Sequence, residues 1–137
     1  MLLNLGADAN KRDNHGRTAL HDACNSKGTQ FVDITRTLLC VANAQVTALT
    51  NEGCSPLFYF IQGNPSDSAQ FMDTITLMIE KGADINSQTN SGETVAHKAA
   101  ELGNVGLVHF FIQKGAELNR RTKYDFILSI EKIQLLT

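Results

Sequence analysis

One pattern returns three times along this chain: Asn-x-Gly-x-Thr/Ser, two apolar residues, then His or Phe. The copies are Asn14-His15-Gly16-Arg17-Thr18-Ala19-Leu20-His21, Asn51-Glu52-Gly53-Cys54-Ser55-Pro56-Leu57-Phe58 and Asn90-Ser91-Gly92-Glu93-Thr94-Val95-Ala96-His97. A motif repeating every three to four dozen residues marks a stack of like units, none able to bury its apolar face without a neighbour. That constrains the fold more than any local propensity. It also weighs against catalysis within the chain, since repeat stacks build long surfaces rather than pockets.

The spacing fixes a register. Gly16, Gly53 and Gly92 lie 37 and 39 residues apart, and ten residues ahead of each stands a second landmark: Gly6, Asn43 or Gly82. A further landmark, Gly115, follows Gly82 by 33 residues and has Asp125 ten residues after it. The surplus over 33 in the first two intervals falls between the two halves of a unit. It maps to Thr29-Gln30-Phe31-Val32-Asp33 and to Asn64-Pro65-Ser66-Asp67-Ser68-Ala69. Both segments are read as loop insertions, because surface connections tolerate extra residues.

These residues resemble the ankyrin repeat family, whose period is about 33 residues. The resemblance runs from Gly6 to Asn119, is cleanest after Asn90, weakens in the middle repeat and ends after Thr122. It implies an all-α repeat solenoid, a stack of helix-turn-helix units with extended finger loops. Residues 1–137 then form a single domain. Segment 1–12 is the end of a truncated repeat; 13–49, 50–88 and 89–121 are three repeats, the first two with insertions; 122–137 is a degenerate terminal half-repeat or cap. Four layers are expected in all. Ile127, Ile130, Ile133 and Leu136, spaced three apart, are compatible with one covering helix.

Local chemistry fits that register. Ser55-Pro56 is a helix start: serine accepts an orphan amide hydrogen of the first turn, and proline at the first position loses nothing. Thr18 and Thr94 cap similarly, and Gly28, Gly63 and Gly103 are expected to stop the first helices. Second helices end in apolar pairs, Leu38-Leu39, Leu77-Met78 and Phe110-Phe111. Gly82 and Gly115, behind Lys81 and Lys114, are left-handed caps, and Asn43 can fill the same place. Small pairs, Ala23-Cys24 and Ala99-Ala100, let first helices approach their neighbours. Phe60-Ile61 in the middle unit instead demands a wider helix spacing or fills space beside the Pro65 segment.

Composition narrows the functional classes. A net charge of −2 offers no polybasic surface for nucleic acid or anionic lipid, and no apolar run approaches a membrane span. No basic region followed by a long apolar stretch opens the chain, so no secretory signal is read. Cys24, Cys40 and Cys54 are odd in number and widely spaced, which suits reduced thiols in the cytoplasm, with the nucleus as the alternative. Cys24 and Cys40 are expected in the core, whereas Cys54, ahead of a helix start, is expected at the surface. No cofactor, metal ligand set or small-molecule substrate site is read: His21 and Cys24 lack further ligands at useful spacing, and no phosphate loop or nucleophile elbow occurs.

His21 and His97 occupy the histidine of the ankyrin motif, which implies hydrogen bonding to neighbouring backbone. Phe58 stands in their place in the second unit and makes that unit depend on apolar packing. Asp8, Asp84 and Glu117 read as turn-closing groups, and Asn10, Asn86 and Asn119 as structural. The resemblance assigns partner contacts to the finger tips and to the exposed, concave face of the first helices. The tips are Asn14, His15 and Arg17; Asn51, Glu52 and Cys54; Asn90, Ser91 and Glu93. The helix positions are Asp22 and Asn25, Tyr59 and Gln62, Lys98 and Glu101. Tyr59 is the expected anchor, flanked by the cations Arg17 and Lys98. The function implied is a non-enzymatic protein-interaction module or scaffold. The alternative is the recognition segment of a larger enzyme, of kinase or ubiquitin ligase type.

Overall fold

The computed structural model describes residues 8–26, 29–63 and 69–117. Residues 1–7 of the expected truncated repeat end at 1–12, the helix stop at Gly28, most of the second insertion, Asn119 and the terminal half-repeat lie outside the described residues. Within them are six helices and no strand. They pair as α1 (Ala19–Cys24) with α2 (Thr29–Cys40), α3 (Pro56–Gly63) with α4 (Ala69–Glu80), and α5 (Val95–Glu101) with α6 (Val105–Gln113). The short helices α1, α3 and α5 pack side by side as one row, and α2 lies against α4 in a second.

Each helix start follows from its sequence. The Thr18 hydroxyl accepts the His21 amide hydrogen at 3.4 Å, and His21 Nδ1 accepts the Thr18 amide hydrogen at 3.1 Å. Thr94 and His97 repeat the arrangement at 3.4 and 3.2 Å. Histidine here takes the part that Glu or Gln plays in a capping box. Each such cap contributes about 1 kcal/mol. In the second unit Ser55 Oγ accepts the Phe58 amide hydrogen at 3.1 Å, and Pro56 opens the helix.

The second helices end through the left-handed region. Gly82 has φ 108°, Gly115 φ 98° and Asn43 φ 53°, the one described non-glycine residue with positive φ. The next residue then returns a hydrogen bond to the helix: Ala83 to Met78, Ala116 to Phe111 and, one residue wider, Ala44 to Leu38.

The insertions depart from expectation. Thr29 to Asp33 is not a loop but the first turn of α2. Helices α2 and α4 each have 12 residues where α6 has 9, so three extra residues in both units lengthen the second helix. The fourth in the first unit is the wider turn at Asn43. Burial gives the reason: Val32, Thr35 and Leu39 are 6, 0 and 2% exposed and form one stripe at helical spacing. The polar residues between them gave the segment its loop-like look.

Burial also decides the role of Phe60 and Ile61, which are 1 and 0% exposed. Close backbone contact joins α1 to α2 and α5 to α6, but α3 and α4 stand further apart. Phe60 fills that wider gap by stacking on Phe71 of α4, ring centroids 4.7 Å apart and planes 14° from parallel. Spacing and filling are one adaptation. Gly63 does not stop α3 by a left-handed turn. It is helical, and a Cβ there would lie 3.0 Å from the Asn25 carbonyl oxygen, so its role is close approach to the preceding layer. Gly103, at φ 74°, does end α5 as expected.

Candidate partner-binding face

The fingers are built by a position the sequence reading passed over, three residues ahead of each motif glycine. Asp13 Oδ1 accepts the amide hydrogens of His15 and Arg17, at 2.8 and 2.9 Å. Thr50 Oγ1 does the same for Glu52 and Cys54, and Thr89 Oγ1 for Ser91 and Glu93. The signal was available: each position carries a short side chain with an acceptor oxygen, the chemistry of a tight turn.

Successive fingers are stapled together by asparagine. The Asn51 backbone N–H donates to the His15 carbonyl at 2.9 Å and its Nδ2 to the Asn14 carbonyl at 2.9 Å. Asn90 donates in the same way to Glu52 and Asn51, at 2.9 and 3.0 Å. Contact is close enough that a Cβ on Gly16 would sit 2.7 Å from Asn51 Oδ1, and Gly16 has φ 78°. Glycine is required there on both counts. The structural asparagines act one level down: Asn10 Oδ1 accepts the Gln45 amide hydrogen and Asn86 Oδ1 that of Glu117, both at 2.8 Å.

Beneath the fingers, His21 Nε2 lies 3.0 Å from the Cys54 carbonyl oxygen, joining the first repeat to the second. The imidazole is wholly buried, which lowers its pKa from the ordinary value. Phe58 is also buried, and Lys98 of the next repeat places its ammonium 5.5 Å from the ring centroid. Apolar packing and a cation from the neighbouring layer thus replace the absent histidine.

The cysteine expectations are corrected in two places. Cys40, the last residue of α2, is exposed, and Cys54 is 7% exposed. Cys54 is tucked under its finger because its N–H is held by the Thr50 hydroxyl and its carbonyl by the Thr50 N–H at 3.0 Å. Burial raises its thiol pKa, the opposite of an activated nucleophile.

Two clefts lie side by side on the face of the first helices. One, of about 380 Å³, is lined by Glu52, Tyr59 and Gln62 of the second repeat, by Asn90, Ser91, Glu93 and Lys98 of the third, and by Asn25. The other, of about 190 Å³, is lined by His15 and Arg17 of the first repeat and by Asn51, Glu52 and Tyr59 of the second. Twelve of the predicted contact residues, Cys54 among them, therefore line one continuous pair of clefts. Asn14, Asp22 and Glu101 line neither but are exposed. Tyr59 and Glu52 border both. Tyr59 is half-buried, set edge-on to the His21 ring with centroids 5.5 Å apart, and its burial raises the phenol pKa.

The cations are not the bare flanks that the sequence suggested. Arg17 Nε donates to Asp13 Oδ2 at 3.0 Å. The Lys98 side chain, 15% exposed, sits 3.1 Å from a Glu101 carboxylate oxygen and 3.9 Å from one of Glu93. Both are neutralised within the protein, because the i,i+4 and i,i+3 spacings bring acid and base together. Among the described residues, no group of three or more His, Cys, Asp or Glu side chains could hold a metal ion.

The fold and face define a helical repeat stack with two adjoining clefts on the face of its first helices. A family model of ankyrin repeats, in 3 copies, matches residues 26–122, and the chain belongs to the ankyrin repeat family. It is similar to an ankyrin repeat protein of fowlpox virus, 34% identical over 118 residues, covering 85% of this chain and 19% of the viral one. It is also similar to human NF-kappa-B inhibitor zeta, 30% identical over 137 residues, covering 82% of this chain and 19% of that protein. A "probable serine/threonine-protein kinase" of Dictyostelium discoideum is 37% identical over 87 residues, covering 64% of this chain and 8% of the kinase. The chain thus spans less than a fifth of the length of each of these relatives. Ankyrin repeats are protein–protein interaction modules, typically non-catalytic. Among the described residues, no helix is long and apolar enough to cross a membrane.

Proposed function

We propose that this chain is a non-enzymatic module that binds a partner protein across the finger tips and first helices, with Tyr59 as its anchor. The observation that carries the reading is the placement of Tyr59: a half-buried aromatic bordering both clefts, set edge-on against His21. Aromatic side chains fixed in this way supply much of the binding energy at interfaces. The proposed contact set also includes Asn14, Asp22, Asn25, Gln62, Ser91 and Glu101. Work in the cytoplasm or nucleus, with the three thiols reduced, is part of the proposal, as is the division into repeats at 13–49, 50–88 and 89–121.

Affinity capture with the full chain, followed by titration of the captured protein, tests the reading. Tyr59→Ala should weaken binding by about 2 kcal/mol, and Gln113→Ala at the exposed end of α6 should be nearly silent. The opposite result would move the site to the second helices.

A second reading is favoured by the likeness to a kinase-named protein of which these residues match 8%. In it, the same face is the recognition segment of a larger enzyme. Fusing or deleting the segment in a full-length reading frame, with substrate turnover as the readout, separates the two.

A further inference from the structure

One carboxylate that lines the clefts is left over once the two cations there are paired. Arg17 is spent on Asp13, and Lys98 on Glu93 and Glu101. Asp22 and Glu52 make no ion pair among the described residues, and both are exposed. Of the acids that line the clefts, Glu93 is met by Lys98, whereas Glu52 beside Tyr59 has no cation of its own. The remaining nearby cation, Arg12, is turned to the carbonyl oxygens of Gly16 and Leu49 and lines neither cleft.

Resting on the protein-binding reading, we propose that the larger cleft receives a basic side chain, arginine first and lysine second, from an extended segment of the partner. The cation would lie on the Tyr59 ring with Glu52 as its carboxylate, and the Gln62 and Asn25 amide oxygens are available to a guanidinium. The volume, about 380 Å³, suits one long side chain rather than a folded element. The protein already shows what this environment accepts: the Lys98 ammonium lies over an aromatic face, Phe58, between two carboxylates. Tyr59 and Glu52 repeat that combination of ring and acid with the place of the cation left to a partner. An aromatic face attracts a cation through its quadrupole, more strongly as water is excluded, and arginine adds planar stacking. An acidic partner segment would meet repulsion from Glu52.

The experiment uses the full chain labelled for NMR and a short Gly/Ser peptide carrying one arginine. Matched peptides carry citrulline, lysine or glutamate at that position. The arginine peptide should shift the amide signals of Glu52, Tyr59 and Gln62, bind about tenfold more tightly than the citrulline peptide, and weaken with added salt. The glutamate peptide should leave the spectrum unchanged. Glu52→Gln and Tyr59→Leu, which keeps bulk against His21, should each weaken binding about five- to tenfold with thermal melts unchanged. Equal binding of the arginine and citrulline peptides, or indifference to Glu52→Gln, overturns the inference. Shifts confined to α2 and α4 would overturn both it and the proposed face. A captured partner that loses affinity with Tyr59→Leu but not with Glu52→Gln would leave the face standing and remove the basic side chain.

Discussion

His21 and Cys54 are joined across the first repeat boundary by a 3.0 Å contact between Nε2 and a backbone carbonyl, while Nδ1 of the same ring accepts the Thr18 amide hydrogen. The two roles demand one neutral tautomer, with the proton on Nε2. A proton added to Nδ1 would take the acceptor from the Thr18 N–H and break that half of the reciprocal cap, with Thr18 Oγ1, 3.0 Å away, as the acceptor for the new N–H.

Acid should therefore loosen the stack at this joint. Burial lowers the folded pKa of His21 below its ordinary value of 6.5, so the unfolded chain takes up the proton first. The contribution is complete above that value and is lost as pH falls from it through the lowered folded pKa. Urea midpoints measured from about pH 8 to about pH 5 should decline, and His21→Asn should flatten part of the decline while lowering the midpoint at pH 8. A slope unaltered by the substitution would place the acid sensitivity elsewhere.

Core truncations should be costly. Leu39 and Phe111 are 2 and 0% exposed, one in each outer helix pair. Leu39→Ala and Phe111→Ala are each expected to destabilise by about 2–5 kcal/mol, read from denaturant midpoints.

The thiols should sort cleanly by accessibility. An aromatic disulfide reagent at neutral pH should modify Cys40 quickly, while Cys24 and Cys54 react only as the protein unfolds. Rapid modification of two thiols in the native state would contradict the burial of Cys54.

The helix end at Asn43 should follow backbone rules rather than side-chain contacts. At φ 53°, Asn43→Gly should preserve or raise stability, whereas Asn43→Val should cost about 1–2 kcal/mol. Thermal unfolding of the two variants makes the comparison.

The repeat register was legible because backbone constraints leave strong marks. Glycine at 16, 53 and 92, and asparagine standing in for glycine at 43, are dictated by positive φ and by finger contact. Histidine at 21 and 97 was legible for the same reason. What escaped were features set by partners distant in sequence. Val32 looked like part of a loop because its burial depends on helices the segment does not contain. Cys40 and Cys54 exchanged places because exposure turns on which side of a helix end or finger faces the stack. The contact residues could be grouped from position alone, but Lys98 and Arg17 could not be recognised as already neutralised until their carboxylates were placed beside them.

Both clefts straddle a seam. The smaller takes its walls from the first and second repeats and the larger chiefly from the second and third, with Tyr59 leaning on a ring from the layer before it. The smallest portable element of recognition in this protein is therefore a joint and not a repeat. Transplanting one unit into another array would carry half of each contact surface and complete neither; transplanting two adjoining units would carry one whole. A ligand seated at such a joint also clamps two layers together, so its grip would register as added stiffness in the array.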